Sequence, residues 1–385
     1  MAIIQRQQLQ TIKERFDSSQ AVAILGPRQC GKSTLARQYL NSQKRKVHFF
    51  DLENPQDLAQ LDNPLIALES LNGLIVIDEI QRSPELFPVL RVLLDNNKKN
   101  KYLILGSASR ELIKQSSETL AGRISYIEIG GFCLDEVQKT KTNDLWLRGG
   151  FPRSFLAKNN ATSTQWRSDF ISSFLERDIP NLGFDIPPRT LRKLWTMLSH
   201  YHGQLLNSSE IGKSMNLSHN TIRKYLDILS GTYVIRQLHP WFYNTKKRLI
   251  KAPKIYVRDS GLLHNLLTID TKQQLVSNPK CGSSWEGFAL EQVIHALRLR
   301  DEDVFFWGVH EQAELDMVFK KSGNLYGVEF KFQDAPRMTS SIQSALKSLP
   351  LKHIWVVYPG AKNYALGANV SVISINSLQT IRTHS

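Results

Sequence analysis

Cysteine is scarce in this sequence, which has only Cys30, Cys133 and Cys281 among its 385 residues. Three scattered cysteines exclude a disulfide framework, and their spacing gives no paired ligands for zinc. No apolar run reaches the roughly 20 residues that a membrane-spanning helix requires. The first residues also lack the uninterrupted apolar core of a signal peptide. We therefore expect a cytoplasmic protein that has no contact with a membrane.

Acidic residues are fewer than basic ones, with 35 Asp and Glu against 49 Lys and Arg, for a net charge of +14. The imbalance is concentrated between Pro187 and Ser260, where there are 13 Lys or Arg and 3 Asp or Glu. A basic surface gains free energy by releasing counterions from nucleic acid. This concentration favours a nucleic-acid site over a diffuse charge that only keeps the protein soluble.

The first part of the chain alternates strand-like and helix-like segments. Helical spacing of apolar residues covers 4–16, 33–40 and 85–95, and short buried strands are expected at 21–25, 47–52, 74–77 and 102–105. Strands that alternate with helices argue for a parallel sheet covered on both faces. Helical segments then fill about 144–179.

A glycine-rich loop lies between the first strand and its helix. Residues 26–33 read Gly-Pro-Arg-Gln-Cys-Gly-Lys-Ser, and the two glycines let backbone amides turn toward phosphate oxygens. We expect Lys32 to reach the β- and γ-phosphates of ATP, and Ser33 to offer its hydroxyl to Mg²⁺. The predicted nucleotide-binding residues are Gly26, Pro27, Arg28, Gln29, Cys30, Gly31, Lys32, Ser33 and Thr34.

Two adjacent acids follow the strand predicted at 74–77. Asp78 is expected to hold Mg²⁺ together with Ser33, and Glu79 to orient and deprotonate the attacking water. Phosphoryl transfer depends on positioning and charge stabilisation, so this small set of groups is sufficient for ATP hydrolysis. The alternative is a solvated strand end, which two acids after four apolar residues, downstream of a phosphate loop, make less favourable.

Six motifs occur in one order along the chain: Gly-Pro-Arg-Gln-Cys-Gly-Lys-Ser at 26–33, Ile-Asp-Glu-Ile-Gln at 77–81, Gly-Ser at 106–107, Leu-Ala-Gly-Arg at 120–123, Gly-Gly-Phe-Pro at 149–152 and Leu-Glu-Arg-Asp-Ile at 175–179. In this order they resemble a widespread prokaryotic family of AAA+ ATPases whose C-terminal half is a domain of unknown function. The resemblance covers nearly the whole chain, and it implies ATP binding and an AAA+ core.

Two further catalytic candidates follow from this type of ATPase. In AAA+ ATPases a polar residue at the end of a neighbouring strand senses the γ-phosphate, and Ser107 stands at that point here. The charge of the transition state usually also needs an arginine. Arg123 is the leading candidate and Arg110 the second, acting either within its own chain or on a neighbour in a homo-oligomer.

The basic middle of the chain has a helix-turn-helix pattern over 208–229, with Ser218 as the expected N-cap of the second helix. Segments 233–238 and 254–257 fit the two strands of a wing whose tip is basic. In such modules the second helix lies in the major groove of DNA. The alternative is a winged helix used only for packing or protein docking. The predicted DNA contacts are His219, Asn220, Arg223, Lys224, Lys246, Lys247 and Arg248.

The C-terminal part carries Asp316 on a strand-like run and, thirteen residues later, Glu329 and Lys331 on one face of another. This order resembles the active site of restriction-endonuclease-like nucleases, in which the two acids hold Mg²⁺ and the lysine positions water or offsets charge. Glu286, on an expected helix, resembles the extra acid of that fold. The alternative is a core scaffold whose acids merely pair with Lys331. His310 is expected to be a solvated loop residue.

The predicted fold is α/β, with a P-loop NTPase parallel sheet of AAA+ type, a winged helix and a small restriction-endonuclease-like α/β domain. The predicted domains are an ATPase core with a helical extension at 1–180, a winged helix at 187–260 and the nuclease-like domain at 261–385. We expect an ATP-hydrolysing switch coupled to DNA, with ATP and Mg²⁺ as cofactors. The alternatives are an ATP-regulated, magnesium-dependent endonuclease and a signalling ATPase whose C-terminal half binds protein.

Overall fold

The computed structural model describes residues 4–107, 118–241, 251–309 and 313–384. The chain folds into two compact units. The first comprises residues up to Phe132 with two short stretches, Ile179–Phe184 and Asp227–Val234. The second comprises Cys133–Asp178, Asp185–Leu226 and everything from Ile235 onward. Residues 133–178 therefore group with the C-terminal half. No helix in the described ranges is both long and apolar enough to cross a membrane.

A five-stranded parallel sheet forms the centre of the first unit. Its strands are β1 (Ala21–Gly26), β2 (Val47–Asp51), β3 (Leu74–Asp78), β4 (Lys101–Ser107) and β5 (Ile124–Glu128). They lie in the order β2-β3-β4-β1-β5, and every neighbouring pair is parallel. All residues of β1 and β3 are buried, as expected for parallel strands covered on both faces. The carboxyl ends of these strands share one edge, where ligands bind in open α/β sheets.

Helices flank this sheet, and three of them lie close to the predicted positions 4–16, 33–40 and 85–95, whereas those at 55–60 and 64–69 were not predicted. The helices are α1 (Gln8–Ser18), α2 (Lys32–Leu40), α3 (Pro55–Gln60), α4 (Pro64–Glu69) and α5 (Leu86–Asn96). Helix α1 begins later than the predicted 4–16, and it buries Ile12 and Phe16. Helix α2 opens directly from the glycine-rich loop, so its amide groups face the carboxyl edge of the sheet.

The middle of the chain continues with short helices and a small sheet. The elements are α6 (Thr142–Arg148), α7 (Pro152–Phe155), α8 (Asn160–Ser173), α9 (Ile179–Asn181), α10 (Pro188–His200), β6 (Gln204–Leu205), α11 (Ser208–Met215), α12 (His219–Gly231), β7 (Ile235–Leu238) and β8 (Lys254–Val257). The antiparallel sheet has the order β6-β8-β7. The hydroxyl of Ser218 accepts the amide of Thr221 at 3.1 Å, which confirms the predicted N-cap of α12.

The C-terminal part is built on a six-stranded mixed sheet. Its elements are α13 (Ser260–Leu266), α14 (Lys272–Ser277), α15 (Cys281–Leu297), β9 (Val304–Val309), β10 (Ala313–Lys321), β11 (Asn324–Phe330), α16 (Ser340–Ser348), β12 (Leu351–Tyr358), β13 (Tyr364–Gly367), β14 (Val370–Ser374) and α17 (Gln379–His384). The strand order is β13-β14-β12-β11-β10-β9. Strands β9, β10 and β11 pair antiparallel, whereas β11, β12 and β14 pair parallel.

Candidate active sites

The glycine-rich loop requires glycine at two positions for different reasons. A Cβ atom at Gly26 would lie 2.2 Å from the carbonyl oxygen of Ile129, so no side chain fits there. Gly31 has a φ of 102°, a left-handed conformation that other residues adopt only with strain. Together the two glycines let the chain turn tightly from β1 into α2.

Lys32, Ser33 and Asp78 meet at the end of this loop. The Lys32 ammonium is buried, and it donates to the carbonyl oxygens of Gly26 at 3.1 Å and Pro27 at 2.9 Å. The Ser33 hydroxyl donates to Oδ2 of Asp78 at 2.7 Å. Burial raises the pKa of Asp78, and the Ser33 hydrogen bond opposes that shift. The two predicted magnesium ligands are therefore adjacent. Among the described residues, the hydrogen bonds of the Lys32 ammonium go only to neutral carbonyl oxygens.

Glu79 and Ser107 are joined by a third residue, Gln81, which sequence reasoning missed. The Gln81 amide donates to Oε2 of Glu79 and, at 3.4 Å, to the Ser107 hydroxyl. In return the Ser107 backbone amide donates to Oε1 of Gln81 at 3.0 Å. The Ser107 hydroxyl also lies 3.5 Å from Glu79. Because β4 separates β3 from β1, Ser107 stands between the acids of β3 and the loop after β1.

The rim of the loop carries its remaining predicted residues. The Arg28 guanidinium forms an ion pair with Glu53 at 2.5 Å. Gln29 is exposed with a φ of 61°, and Thr34 is exposed at the start of α2. The arginine is thereby held beside the loop by the carboxylate of Glu53.

Arg6 supports the glycine-rich loop through its backbone carbonyl groups, a role that was not predicted. Its buried guanidinium donates to the carbonyl oxygens of Cys30 at 3.0 Å and Gly130 at 3.0 Å. The Cys30 side chain is wholly buried, and burial raises the pKa of its thiol. Cys30 thus acts through packing and its backbone.

Arg123 does not lie at the phosphate loop of its own chain. Its guanidinium binds both oxygens of Asp95, at 2.8 and 3.1 Å, and the carbonyl of Ala121 at 3.0 Å. Its own carbonyl accepts the amide of Ala21, the first residue of β1, whereas the loop follows the last residue. The five residue steps of β1 separate these ends by about 16 Å. Action on a neighbouring copy stays a prediction, and Arg110 lies outside the described residues.

A second polar cluster lies in the C-terminal sheet, where Asp316 of β10 meets the end of β11. Oδ2 of Asp316 accepts the backbone amide of Phe330 at 2.8 Å. The Lys331 ammonium pairs with Oε1 of Glu329 at 2.6 Å, as their predicted common face requires. The other Glu329 oxygen, Oε2, is buried and has no hydrogen-bond partner among the residues that the structure describes. The cluster therefore leaves one buried carboxylate oxygen unsatisfied.

Lys254 and Tyr256 of β8 enter the same cluster, and neither was predicted to do so. The Lys254 ammonium forms ion pairs with Glu286 at 3.4 Å, with Glu314, and with Asp316 at 3.8 Å. The Tyr256 hydroxyl donates to Glu286 at 2.5 Å. The structure thus brings together all four predicted nuclease-site residues and adds a second lysine, a tyrosine and a further acid.

The electrostatics of this acid cluster are unusual. Burial and the neighbouring Asp316 raise the pKa of Glu286 to about 7 and that of Glu329 to about 8. Burial alone would lower the pKa of Lys254 and Lys331, but the surrounding acidic groups raise both. Four carboxylates, Glu314 included, face two ammonium groups. The cluster has a formal excess of two negative charges, which protons or a divalent cation can neutralise.

The donor set limits what metal the cluster fits. In the described ranges no group of three or more His, Cys, Asp or Glu is arranged to hold an ion. Mg²⁺ retains several waters and is commonly bound through one or two carboxylates. The unsatisfied Oε2 of Glu329, beside Asp316, is suited to that mode of binding. The two acids fit a hydrated divalent ion.

The predicted DNA contacts on α12 share one exposed surface. His219, Asn220, Arg223 and Lys224 are exposed, whereas Ile222 is buried on the opposite side. Lys246, Lys247 and Arg248 lie outside the described residues, as does His310.

Three family models match the chain in succession. Residues 18–138 match an AAA domain, 139–273 match a domain of unknown function (DUF8612), and 281–378 match another (DUF4143). Uncharacterized proteins of Mycobacterium tuberculosis and Mycobacterium bovis are each 44% identical to the chain over 381 residues, covering 99% of it and 86% of each relative. This chain belongs to their family. An uncharacterized protein of Haemophilus influenzae is similar at 24% identity, with 86% of this chain and 88% of the relative covered.

A solved structure supports the fold of this family. The Walker-type ATPase of Pyrococcus abyssi superposes with a TM-score of 0.51 at 16% identity, covering 69% of this chain and 96% of its own. The family member described here is thus a P-loop ATPase of the AAA type. Of the residues that sequence reasoning missed, Gln81 had a local signal, because it lies two positions after Glu79. Arg6, Lys254 and Tyr256 are joined to their sites only by tertiary contacts.

Proposed function

We propose that this protein hydrolyses ATP with Mg²⁺ as cofactor, and that DNA is coupled to the cycle. The hydrogen bond from Ser33 to Asp78 carries the first part, because it places both predicted magnesium ligands beside the phosphate loop. When bound, Mg²⁺ neutralises charge on the β- and γ-phosphates. Lys32 exchanges its carbonyl partners for phosphate oxygens, and Glu79 takes the proton of the attacking water.

Gln81 and Ser107 orient the base in this scheme. Both contact Oε2 of Glu79, so this oxygen is held toward the end of β4. A nucleotide whose γ-phosphate reaches Ser107 competes for the same hydroxyl. The position of Glu79 therefore depends on the occupant of the site, and this dependence is the basis of a switch.

The DNA part rests on the middle of the chain. Helix α10, strand β6, helices α11 and α12, and strands β7 and β8 follow in the order of a winged helix, with a three-stranded sheet. The exposed face of α12 carries two cations and two further polar groups at the positions that meet base edges in such modules. These observations favour DNA over a packing role, as does the local excess of positive charge.

Salt-dependent DNA binding tests the coupling. Changing Lys246, Lys247 and Arg248 to Glu is expected to weaken binding to all sequences and to flatten the salt dependence. The matched control is the same reversal of the basic run at 44–46, which changes net charge equally but lies in the first unit. DNA is also expected to change the ATPase rate of the wild type. Equal losses of DNA affinity in both triple variants would show that binding depends only on net charge.

A magnesium-dependent endonuclease is a second candidate, favoured by the acid cluster and its unsatisfied Glu329 oxygen. Asp316 and Glu329 would hold the ion, which lowers the pKa of a bound water and stabilises the leaving oxygen. Lys331 would offset charge that develops on the phosphate. The alternative is a nuclease-like scaffold without activity, for which substitution of Asp316 or Lys331 should leave function unchanged.

Plasmid nicking with and without ATP decides between these alternatives. Asp316→Ala is expected to remove cleavage completely, and Lys331→Ala to slow it by orders of magnitude with metal binding retained. Both should keep the wild-type ATPase rate. Asp334→Ala, at an exposed position of the same region, is the control. If the wild type cuts neither DNA nor RNA and binds neither, a signalling ATPase whose C-terminal half binds protein becomes the better account.

A further inference from the structure

The ammonium group of Lys254 lies among acidic side chains, at a position where a bound metal ion would otherwise be expected. Its side chain is 4% exposed and begins strand β8. Acids from two other elements surround the ammonium: Glu286 from α15, and Glu314 and Asp316 from β10. The ring of Phe306 from β9 closes another side, with its centroid 5.7 Å from Nζ. A lysine buried in this way is part of the site rather than a solvated neighbour.

The acid cluster has two sides, which share Asp316. On one side Lys254 pairs with Glu286, Glu314 and Oδ1 of Asp316. On the other side Lys331 pairs with Oε1 of Glu329, and Oε2 of Glu329 has no hydrogen-bond partner within the described ranges. In the part of the chain that the structure describes, only the second side therefore has a buried carboxylate oxygen available to a ligand. A divalent ion on the first side would meet the ammonium at short range, where like charges repel strongly.

We propose that Lys254 is a fixed positive charge that takes the place of a second metal ion, so that the cluster binds one divalent cation, at Asp316 and Glu329. The proposal rests on the metal site of the proposed function and makes it more specific. Two-metal nuclease sites stabilise the attacking and the leaving oxygen with separate ions. Here an ammonium group supplies one of the two positive centres.

The proposal also gives Glu286 a different role from the one its helical position suggests. Lys254 and Tyr256 are two positions apart on β8, so their side chains lie on the same face of the strand. Both contact Glu286. This carboxylate positions Lys254 and does not ligate the ion. It is a positioning residue, and metal binding is expected to tolerate its loss.

Mn²⁺ binding to the full-length protein, without nucleotide or DNA, tests this assignment by titration calorimetry and electron paramagnetic resonance. Asp78→Asn serves as the background in every sample, because it removes the ATP-site ligand. We expect one Mn²⁺ at the cluster, lost in Glu329→Gln and retained within about threefold in Glu286→Gln. Lys254→Met is expected to bind a second Mn²⁺, which disappears again when Glu286→Gln is added. Lys254→Arg keeps the charge and should bind one.

The outcomes distinguish the role of Lys254 from the existence of the metal site. If Mn²⁺ binds but two ions enter the wild type, or if Glu286→Gln abolishes the single ion, the role of Lys254 is wrong and the metal site stands. If neither the wild type nor Lys254→Met binds Mn²⁺ at the cluster, the metal site itself is wrong, and the inference falls with it. Should Lys254→Met fail to fold, the wild type and Glu286→Gln still decide.

Discussion

Two buried lysines, Lys32 and Lys254, have opposite surroundings. The ammonium of Lys32 donates to two neutral carbonyl oxygens of its own loop, whereas that of Lys254 pairs with three carboxylates from other elements. Moving Lys32 toward a phosphate breaks no ion pair with any residue that the structure describes, because its bonds are to carbonyl oxygens. Moving Lys254 leaves the buried Asp316 and the half-buried Glu286 without this counter-charge, which is costly. The first lysine is arranged to follow a ligand, and the second is arranged to stay.

The strongest test of this contrast is Lys32→Ala. We expect it to abolish ATP binding, because this ammonium is the charge aimed at the β- and γ-phosphates, and to leave the fold intact. A fluorescent nucleotide titration with circular dichroism measures both. The exposed lysine of α1 gives the control, Lys13→Ala, which should bind normally. Tight ATP binding by a folded Lys32→Ala would refute the assignment.

Glu79→Gln separates binding from chemistry at the same site. ATP binding should persist, because the phosphate contacts are unchanged. Turnover should fall by about 10²–10⁴-fold, because an amide cannot take the proton of water. Steady-state phosphate release and nucleotide affinity are the two measurements. An unchanged rate would place the base elsewhere.

Lys254→Met tests the other half of the comparison. We expect a loss of about 3–5 kcal/mol in the free energy of unfolding, the usual cost of breaking a buried ion pair from one side. Lys32→Ala should cost far less, because the hydrogen bonds of this ammonium go to neutral carbonyl oxygens and not to carboxylates. Thermal melts of both variants compare them directly. Equal stability of the two variants would remove the distinction between a movable and a fixed lysine.

Gln81→Ala should have a smaller effect, roughly a tenfold loss of turnover with unchanged ATP affinity. Its amide only orients Glu79, and the Ser107 hydroxyl keeps one contact to the same oxygen. Gln81→Glu is the sharper variant, because it places a second negative charge beside the base and should slow turnover further. A fall in ATP affinity instead would make Gln81 part of the nucleotide pocket.

The smallest expected effect is a dependence of stability on pH in EDTA. The folded pKa of Glu329, about 8, is above its ordinary value of 4.5, so the folded state binds this proton more tightly. The stabilisation is fully present below about pH 4.5 and is lost as pH rises through 8. The melting temperature should therefore fall between pH 6 and 9, and fall less in Glu329→Gln. Parallel pH profiles would show that Glu329 is not the responsible group.

Prediction from the sequence succeeded where the determinants are local. The phosphate loop, Asp78 and Glu79 lie within short segments whose glycines and apolar strand specify their geometry, and both segments occupy the expected positions. The helix acid and the strand acids of the C-terminal site also converge. Lys254 could not be placed, because its role depends on the packing of β8 beside residues 32 to 62 positions later. Arg123 cannot contact a phosphate bound at the loop of its own chain, because it precedes β5 and lies at the amino ends of the strands, whereas the loop lies at their carboxyl ends.

Strand β8 has a consequence for how such chains can be recombined. Its backbone completes the small sheet with β6 and β7, while Lys254 and Tyr256 reach Glu286. Exchanging residues 187–260 for the matching segment of another protein would thus remove the counter-charge of acids encoded downstream. Viable chimeras should carry the whole stretch through Lys331, or lose positions 254 and 286 together. The basic segment 187–260 and the acid cluster should therefore be exchanged between proteins only together.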